Sequence, residues 1–229
     1  MKAILLGSRA LTLETRHFDF EVPETDRLIF EPGQFVSLSH NFGEKEITRA
    51  YSISSAPDGN RFSLCLNRVP DGHFSPYLFD LAPGGCVDMK GPLGTFTLRP
   101  TGRPIVMVAT GTGIAPFRSM LEHRARVGID IPCSLVFGVR YEENLLYGEE
   151  LYTWARNDPH FHFHPVISRF TESWTGWRGH VQQHVVDLLG EDRNLDIYIC
   201  GLKLMVDDLR ARLKAMGFDR RQIIHEKYD

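Results

Sequence analysis

The chain has 229 residues, of which 42% are hydrophobic and 24% are charged, enough to bury a core without disulfide or metal staples. Its formal net charge of −3, from 26 basic and 29 acidic residues, excludes the strongly basic surface of a nucleic-acid-binding protein. No apolar run reaches the ~18 residues of a membrane-spanning helix, and the first apolar stretch is too short for a signal peptide, so we expect a cytoplasmic protein.

The first hundred residues have the pattern of an antiparallel β domain. Short apolar or alternating runs are separated by turn clusters rich in Gly, Pro, Asn and Asp, which predicts a small barrel or sandwich. The predicted strands are residues 3–6, 17–22, 35–40, 47–54, 61–69, 87–90 and 95–98. One helix is predicted among them, at residues 73–81.

After residue 102 the pattern changes to strands that alternate with helices. Residues 104–109 are a continuous apolar run, as buried parallel strands have. Further strands are predicted at 134–139, 161–168, 196–200 and 222–225, and helices at 115–126, 149–156, 181–189 and 202–216. This alternation predicts a doubly wound parallel sheet. We therefore expect a β-barrel domain over residues 1–102 and an α/β domain over residues 103–229.

A glycine-rich turn joins the first strand of the α/β domain to its first helix. Its residues are Thr110-Gly111-Thr112-Gly113. Glycines let a backbone approach a phosphate closely, and the N–H groups at a helix start bind anions. A tight turn without a ligand is the alternative, but the strand before and the helix after favour a dinucleotide site.

Arginines follow the next two strands of this domain. Arg140 ends the second strand, and Ser168-Arg169 ends the third. NAD sites usually carry an acidic residue here, whereas an arginine accommodates the 2′-phosphate of NADP. Two surface arginines without a ligand are the alternative. The residues favour NADP over NAD.

Two segments of the β domain are weaker signals when taken alone. Arg49-Ala50-Tyr51-Ser52 lies on a predicted strand, and such strands are common. Residues 72–75 form a turn that enters a helix, and its N–H groups could hold a phosphate. A hairpin turn in which Ser75 caps the helix is the interpretation that this turn favours by itself.

No metal site is predicted. The four cysteines lie far apart, which argues against a zinc ribbon and against a cluster held by neighbouring thiolates. His160, His162 and His164 alternate along one strand, but no further ligand is arranged beside them, so a solvated edge strand is the favoured interpretation.

Taken in order, these segments resemble the ferredoxin–NADP⁺ reductase family, whose members pair an FAD-binding barrel with an NADP-binding α/β domain. The match runs nearly end to end. Arg49-Ala50-Tyr51-Ser52 is similar to the family's flavin motif. The resemblance implies that Arg49 contacts the flavin pyrophosphate, that Tyr51 packs on the isoalloxazine ring, and that Ser52 hydrogen-bonds near its N5.

The resemblance also assigns the other cofactor contacts. The FAD pyrophosphate turn would be Gly72, His73, Phe74 and Ser75, and the nicotinamide-nucleotide turn would be Gly111, Thr112 and Gly113. Ser168, Arg169 and Arg140 match the family's contacts to the 2′-phosphate. One departure is His180, which stands where bacterial members often have another phosphate-binding arginine.

Four residues are implied in catalysis by the same resemblance. They are Ser52, Cys200, Glu226 and Tyr228. Cys200-Gly201 resembles the turn beside the nicotinamide, and Glu226-x-Tyr228 resembles the C-terminal motif whose aromatic ring covers the flavin face. Asp229 follows Tyr228, where some bacterial members carry an extra aromatic residue.

The predicted function is an FAD-dependent oxidoreductase that transfers electrons between NADPH and a one-electron protein carrier, ferredoxin or flavodoxin, by hydride transfer to flavin N5. Tyr228 would have to leave the flavin face before the nicotinamide enters. One alternative is an NAD(P)H:flavin reductase that uses free flavin as a substrate. Another is the reductase subunit of a larger oxygenase complex.

Overall fold

The computed structural model describes residues 1–228, and its chain forms two compact units. Unit 1 comprises Met1–Leu98 and Ala115–Gly128, and unit 2 comprises the remaining residues. Helix α2 (Ile114–Val127) follows the glycine-rich turn in sequence, yet from Ala115 onward it groups with unit 1. This spatial division follows packing and not chain order. The division of the sequence into domains at residues 102/103 stays a proposal.

Unit 1 is built on a six-stranded antiparallel sheet with the order β4-β3-β6-β1-β2-β5. The strands are β1 (Lys2–Ala10), β2 (Thr15–Glu21), β3 (Phe35–Phe42), β4 (Lys45–Ser52), β5 (Arg61–Asn67) and β6 (Cys86–Leu93). The chain just after β4 bridges back to β5 through Ile53 and Leu64, which joins the two edges of the sheet. The predicted antiparallel β domain is confirmed.

Aromatic side chains fill the inside of this sheet. Alternation along β2 turns Phe18 and Phe20 inward, and the Phe20 ring stacks on Phe62 at 5.4 Å. Helix α1 (Phe74–Asp80) adds Phe79, whose ring meets Phe18 edge-on at 5.4 Å. Each such buried ring contributes roughly 1.5–3 kcal/mol to folding.

The strand predicted at residues 95–98 is wrong, because no strand is present there. Phe96 is buried, and its ring lies 5.7 Å from that of Phe117 on α2. The alternation of residues 95–98 therefore results from the burial of the Phe96 side chain and not from pairing with a neighbouring strand.

Unit 2 contains a six-stranded parallel sheet with the order β10-β9-β8-β7-β11-β12. The strands are β7 (Ile105–Thr110), β8 (Cys133–Val139), β9 (Phe161–Ile167), β10 (Trp177–Arg178), β11 (Asp196–Leu202) and β12 (Ile223–Tyr228). The strand order reverses at β7, and ligands of such sheets bind outside the carboxyl ends at that switch point.

Helices cover both faces of the parallel sheet, so the predicted doubly wound fold is confirmed. On one face α4 (Val181–Leu189) and α5 (Lys203–Ala215) pack on the valines and isoleucines of the central strands. On the other face α3 (Gly148–Asn157) places Tyr152 against Phe163, with ring centroids 5.0 Å apart.

Strand β10 was not predicted, because two residues have no periodicity. Its Trp177 ring is stacked between His164 at 4.5 Å and His184 at 4.7 Å. This stack attaches β10 and the start of α4 to the edge of the sheet.

Burial lowers the pKa of His164, with a smaller contribution from His162, and burial also lowers the pKa of His225. Because the unfolded chain then binds protons more readily than the folded one, stability is highest above the unfolded pKa of about 6.5 and falls as the pH drops through the lowered folded values. We expect urea midpoints to decrease from pH 7.5 to 5.5. His164→Phe keeps a ring against Trp177 and should flatten this dependence. An unchanged slope in that variant would contradict the assignment.

Candidate functional site

The carboxyl edge of the parallel sheet brings most of the predicted nucleotide-site residues together. Parallel strands end at the same edge, so the residues that close β7, β8, β9, β11 and β12 are neighbours there. They include Thr110, Arg140, Ser168, Gly201 and Tyr228.

The two glycines of the turn have different environments. Gly111 is exposed with φ +53°, and a Cβ added to it would meet no atom within 4 Å. A Cβ added to Gly113 would lie 2.7 Å from the carbonyl carbon of Cys200 and 2.8 Å from Cα of Gly201. Gly113 therefore lets the end of β11 pack on the turn, while Gly111 presents open backbone. That open backbone fits the pyrophosphate of a dinucleotide.

The Cys200-Gly201 turn is bound to the end of β7. The Leu202 amide donates to the Thr110 hydroxyl at 3.3 Å. Gly201 has φ +144°, and a Cβ there would collide with that same hydroxyl. The structure thus places the two turns in direct contact, a relation that their distance in sequence does not reveal.

Arg140 and Arg169 lie side by side at the ends of β8 and β9. The Arg169 amide donates to the Arg140 carbonyl at 2.8 Å, and both side chains are exposed. The Arg169 guanidinium donates to the Tyr141 hydroxyl at 2.9 Å and lies 5.7 Å from that ring. Ser168 is half-buried beside them. Two exposed arginines at neighbouring strand ends supply charged donors of the kind that bind a phosphate monoester.

Sequence reasoning missed the aromatic residues that orient this region. Tyr141 follows Arg140 directly, and Phe170 follows Arg169. The Arg178 guanidinium lies 4.6 Å from the Phe170 ring and donates to the Trp174 carbonyl at 2.7 Å. The sequence signal is an aromatic residue directly after each strand-end arginine, although each ring contacts a guanidinium group from a neighbouring strand end and not from the preceding residue. His180, which stands where bacterial members often have a phosphate-binding arginine, directly precedes the first residue of α4.

The three predicted catalytic residues of unit 2 lie on adjacent strands. Cys200 pairs with Glu226 in the register of β11 and β12, and Leu202 pairs with Tyr228. Burial raises the pKa of the Cys200 thiol well above its usual range, and the Glu226 charge adds to this effect. The thiol is therefore protonated at neutral pH and carries no charge. Asp229 lies outside the described residues.

The flavin strand predicted in unit 1 is β4. Arg49 is exposed and donates to the Thr48 carbonyl at 2.8 Å, and the neighbouring Ala50 is also exposed. Tyr51 is half-buried, and burial raises its pKa to about 12, so its phenol stays neutral. Ser52 is buried at the end of the strand.

The second predicted flavin segment lies against this strand. The Phe74 ring is 6.2 Å from that of Tyr51. Ser75 does not cap the helix, because it is the second residue of α1 and its hydroxyl accepts from the Val69 amide at 2.9 Å. His73 occupies the cap position and makes no side-chain cap. The uncapped start of α1, next to Gly72, fits a phosphate acceptor.

These observations define a class of protein. Unit 1 is a closed antiparallel β unit with an Arg-x-Tyr-Ser strand. Unit 2 is a parallel sheet with a glycine turn and an arginine pair at its carboxyl edge. Together they are the parts of a two-domain oxidoreductase for FAD and a nicotinamide nucleotide.

The comparison with known proteins agrees with this class. Residues 2–98 match the oxidoreductase FAD-binding domain, and residues 107–211 match the oxidoreductase NAD-binding domain. Ferredoxin–NADP reductase B of Sorangium cellulosum is 39% identical over 237 residues, which cover 100% of this chain and 97% of that protein. The chain belongs to the ferredoxin–NADP⁺ reductase family.

The chain is also similar to an electron transfer component of a dioxygenase and to a reductase of known structure. The toluate 1,2-dioxygenase electron transfer component of Pseudomonas putida is 32% identical over 99% of this chain, which spans 67% of that protein. The ferredoxin NADP⁺ reductase of Neisseria gonorrhoeae, solved with bound FAD and NADP, has a TM-score of 0.85 and 27% identity over 99% of this chain and 98% of its own.

The family membership confirms several predictions. The chain is an oxidoreductase with an FAD-binding domain followed by an NAD(P)-binding domain, and both cofactors were predicted from the motifs. Within residues 1–228, no helix is both long and apolar enough to cross a membrane. The individual roles of the site residues stay predictions.

Proposed function

We propose that this protein passes electrons between NADPH and a one-electron protein carrier, with ferredoxin or flavodoxin as the carrier. The observation that carries the NADPH assignment is the adjacent pair Arg140 and Arg169 at the strand ends beside the glycine turn. The full-length similarity to a ferredoxin–NADP reductase supports the carrier. An NADPH-fed reductase of this kind would act in the cytoplasm.

FAD, when bound, supplies the conversion between the two-electron chemistry of a nicotinamide and the one-electron chemistry of a carrier. The chain's own residues provide binding and electrostatics. Tyr51 and Phe74 offer neutral aromatic surface, and Ser52 offers a hydroxyl at the end of β4. In unit 2 the protonated Cys200 thiol adds a weak donor without adding negative charge beside Glu226.

The arginine pair makes a prediction about coenzyme choice. Arg169→Ala should raise the KM for NADPH by about 10- to 100-fold, because a charge-assisted bond to phosphate contributes about 1.5–3 kcal/mol. The KM for NADH should change little, since NADH lacks the 2′-phosphate. Arg156→Ala is the matched control, because Arg156 is exposed on α3 and bonds Thr153. An equal loss with both coenzymes would contradict the 2′-phosphate assignment.

The gating role proposed for Tyr228 predicts how its substitution changes NADP⁺ affinity and coenzyme preference. If the Tyr228 ring must be displaced, Tyr228→Ser removes that step, so the variant should bind NADP⁺ more tightly and discriminate less between NADPH and NADH. Tyr228→Phe keeps the ring and should behave like the unsubstituted protein. Titration of the flavin absorbance with NADP⁺ measures both. Unaltered binding and preference in the serine variant would remove the gating role.

Absorption spectroscopy separates this proposal from a reductase of free flavin. We expect desalted protein to keep a flavin band that bleaches when NADPH is added without oxygen. A colourless protein would mean that flavin is at most a substrate, and the roles proposed for residues 72–75 and Tyr228 would then be withdrawn.

A second candidate is the reductase subunit of an oxygenase system, which the similarity to the toluate 1,2-dioxygenase component favours. Reduction of purified ferredoxin, flavodoxin and the oxygenase component of a dioxygenase system under NADPH distinguishes the two. Preferential reduction of the oxygenase component would support this second candidate.

A further inference from the structure

One face of α2 contacts four consecutive backbone positions of the loop that follows flavin strand β4. The four side chains, called here the α2 ladder, are Arg118, Ser119, Glu122 and Arg126. Arg118 Nη1 donates to the Ser54 carbonyl at 2.6 Å, Ser119 Oγ to the Ser55 carbonyl at 2.6 Å, and Arg126 Nη1 to the Pro57 carbonyl at 3.4 Å, while Glu122 Oε2 accepts from the Ala56 amide at 2.8 Å. All of these residues belong to unit 1.

The ladder is braced internally by helical spacing. Arg118, Glu122 and Arg126 are four residues apart, so their side chains share one face of α2. Glu122 pairs with Arg118 at 3.4 Å and with Arg126 at 2.6 Å. The two arginines are therefore oriented by the same carboxylate before they reach the loop.

The loop is held on one side by the ladder and on the other by β5, where the Ser63 amide donates to the Ser55 hydroxyl at 2.9 Å. The Ser54 amide still donates to the Ser63 carbonyl at 2.8 Å. The Ser54 hydroxyl is buried, and it has no hydrogen-bond partner among the residues that the structure describes. Ser54 is thus fixed through its main chain, with Arg118 on its carbonyl, and not through its side chain.

Stability by itself does not explain why an arginine is buried at position 118. Arg118 is 9% exposed and pairs with Glu122, and a buried ion pair can often be replaced by well-packed apolar residues without loss of stability. Arg118, Glu122 and Arg126 also line an open cleft of about 470 Å³, whereas Ser119 is fully buried. The arrangement defines the position of the loop backbone, because each bond from the ladder to the loop is made to a main-chain atom and not to a side chain.

We propose that the α2 ladder is a positioning element of the flavin site. Ser52 pairs with Phe35 on β3, and the Ile53 amide donates to the Gln34 carbonyl at 2.9 Å. The ladder fixes the Ser54 carbonyl on the other side of Ile53, so it completes the restraint on Ser52, whose hydroxyl is assigned to the flavin. The inference rests on that proposed role of Ser52. Arg118, Ser119 and Glu122 are positioning residues in this scheme, since they act through the backbone and not on the cofactor.

The test is a double-mutant cycle on the FAD-loaded protein. Arg118→Met should weaken FAD binding by about tenfold, as expected when part of a charged hydrogen bond's contribution is lost. It should also shift the visible band and the midpoint potential of bound FAD. In the Ser52→Ala background the same substitution should add nothing further. Ser119→Ala removes only the hydrogen bond to the Ser55 carbonyl and is a smaller change in volume and charge, so it keeps the test possible if Arg118→Met does not fold.

Two controls separate positioning from general stability. Ser54→Ala removes the unpartnered hydroxyl but leaves every ladder bond, so the FAD properties should not change. Arg212→Met breaks an exposed helical ion pair with Asp208 in unit 2 and should also leave them unchanged.

Two results would overturn the proposal. One is a lower unfolding midpoint of Arg118→Met and Ser119→Ala with unchanged FAD affinity, spectrum and potential. The other is an additive effect in the double variant, which would mean that the ladder does not act through Ser52. Failure of the proposed function is distinguishable, because it would show in the unsubstituted protein as flavin that NADPH does not bleach.

Discussion

Replacing Asp196 by alanine is expected to lower the free energy of unfolding of unit 2 by about 3 kcal/mol, the lower end of the range for breaking a buried ion pair. Asp196 is 1% exposed at the start of β11. Its carboxylate accepts from the Thr101 hydroxyl at 2.5 Å and pairs with the Arg103 guanidinium at 2.6 Å. Removal leaves both donors without their acceptor.

The expected loss of stability depends on the Arg103 guanidinium, which the substitution leaves without its carboxylate partner. Arg103 Nε is already buried without a hydrogen-bond partner among residues 1–228, so its guanidinium depends on Asp196. The Arg103 side chain is 32% exposed, and water can reach part of the abandoned charge, which keeps the loss at the lower end of the range. Urea unfolding followed by circular dichroism measures the change.

Two variants calibrate this expectation. Asp196→Asn keeps an acceptor for Thr101 but loses the charge opposite Arg103, so it should fall between the alanine variant and the unsubstituted protein. Asp208→Ala breaks the exposed pair with Arg212 and should cost less than about 1 kcal/mol. Equal losses for Asp196→Ala and Asp208→Ala would show that the buried pair contributes no more than a surface pair.

Much of the fold could be predicted because the chain's periodicities are clear. The continuous apolar run of β7 and the alternation along β2 follow directly from burial on two faces and on one face. The strand at residues 95–98 was wrong because the burial of Phe96 mimics alternation, and β10 was missed because two residues form no pattern. Local pattern therefore identified elements that bury several side chains in register, and it failed where one side chain or two residues were involved.

The candidate site was predictable only as separate segments. The glycine turn and Arg140 could be recognised, because their backbone or charge requirements are local. The contact of Gly113 with the Cys200 backbone and the support of Arg169 by Tyr141 depend on strand order, which sequence spacing does not state. The α2 ladder was missed for the same reason, since nothing near residue 118 indicates that its helix packs with unit 1.

The two glycines of the nucleotide turn should fail in opposite ways when each is replaced by alanine. Gly113→Ala drives a Cβ into the backbone of Cys200 and Gly201, where neither atom can move without shifting β11. Overpacking of this kind costs about 3 kcal/mol. We therefore expect a large loss of stability, with coenzyme binding lost as a consequence of unfolding.

Gly111→Ala should instead preserve the fold and lose the coenzyme. Its Cβ meets no protein atom, so the cost is the left-handed backbone alone, about 1 kcal/mol. The same Cβ stands on the open backbone that a pyrophosphate would approach, and we expect NADP⁺ affinity to fall by at least about tenfold. Calorimetric titration with NADP⁺ and urea unfolding of the same samples measure both quantities.

Gly128→Ala is the matched control for this comparison. Gly128 also has a positive φ, +71°, with no atom within 4 Å of an added Cβ, and it lies beyond the end of α2, away from the turn. It should show the backbone cost without the loss of affinity. If Gly111→Ala bound NADP⁺ as tightly as Gly128→Ala does, the open backbone at Gly111 would not be where the phosphates bind. The remaining support for the nucleotide site would then rest on Arg140 and Arg169.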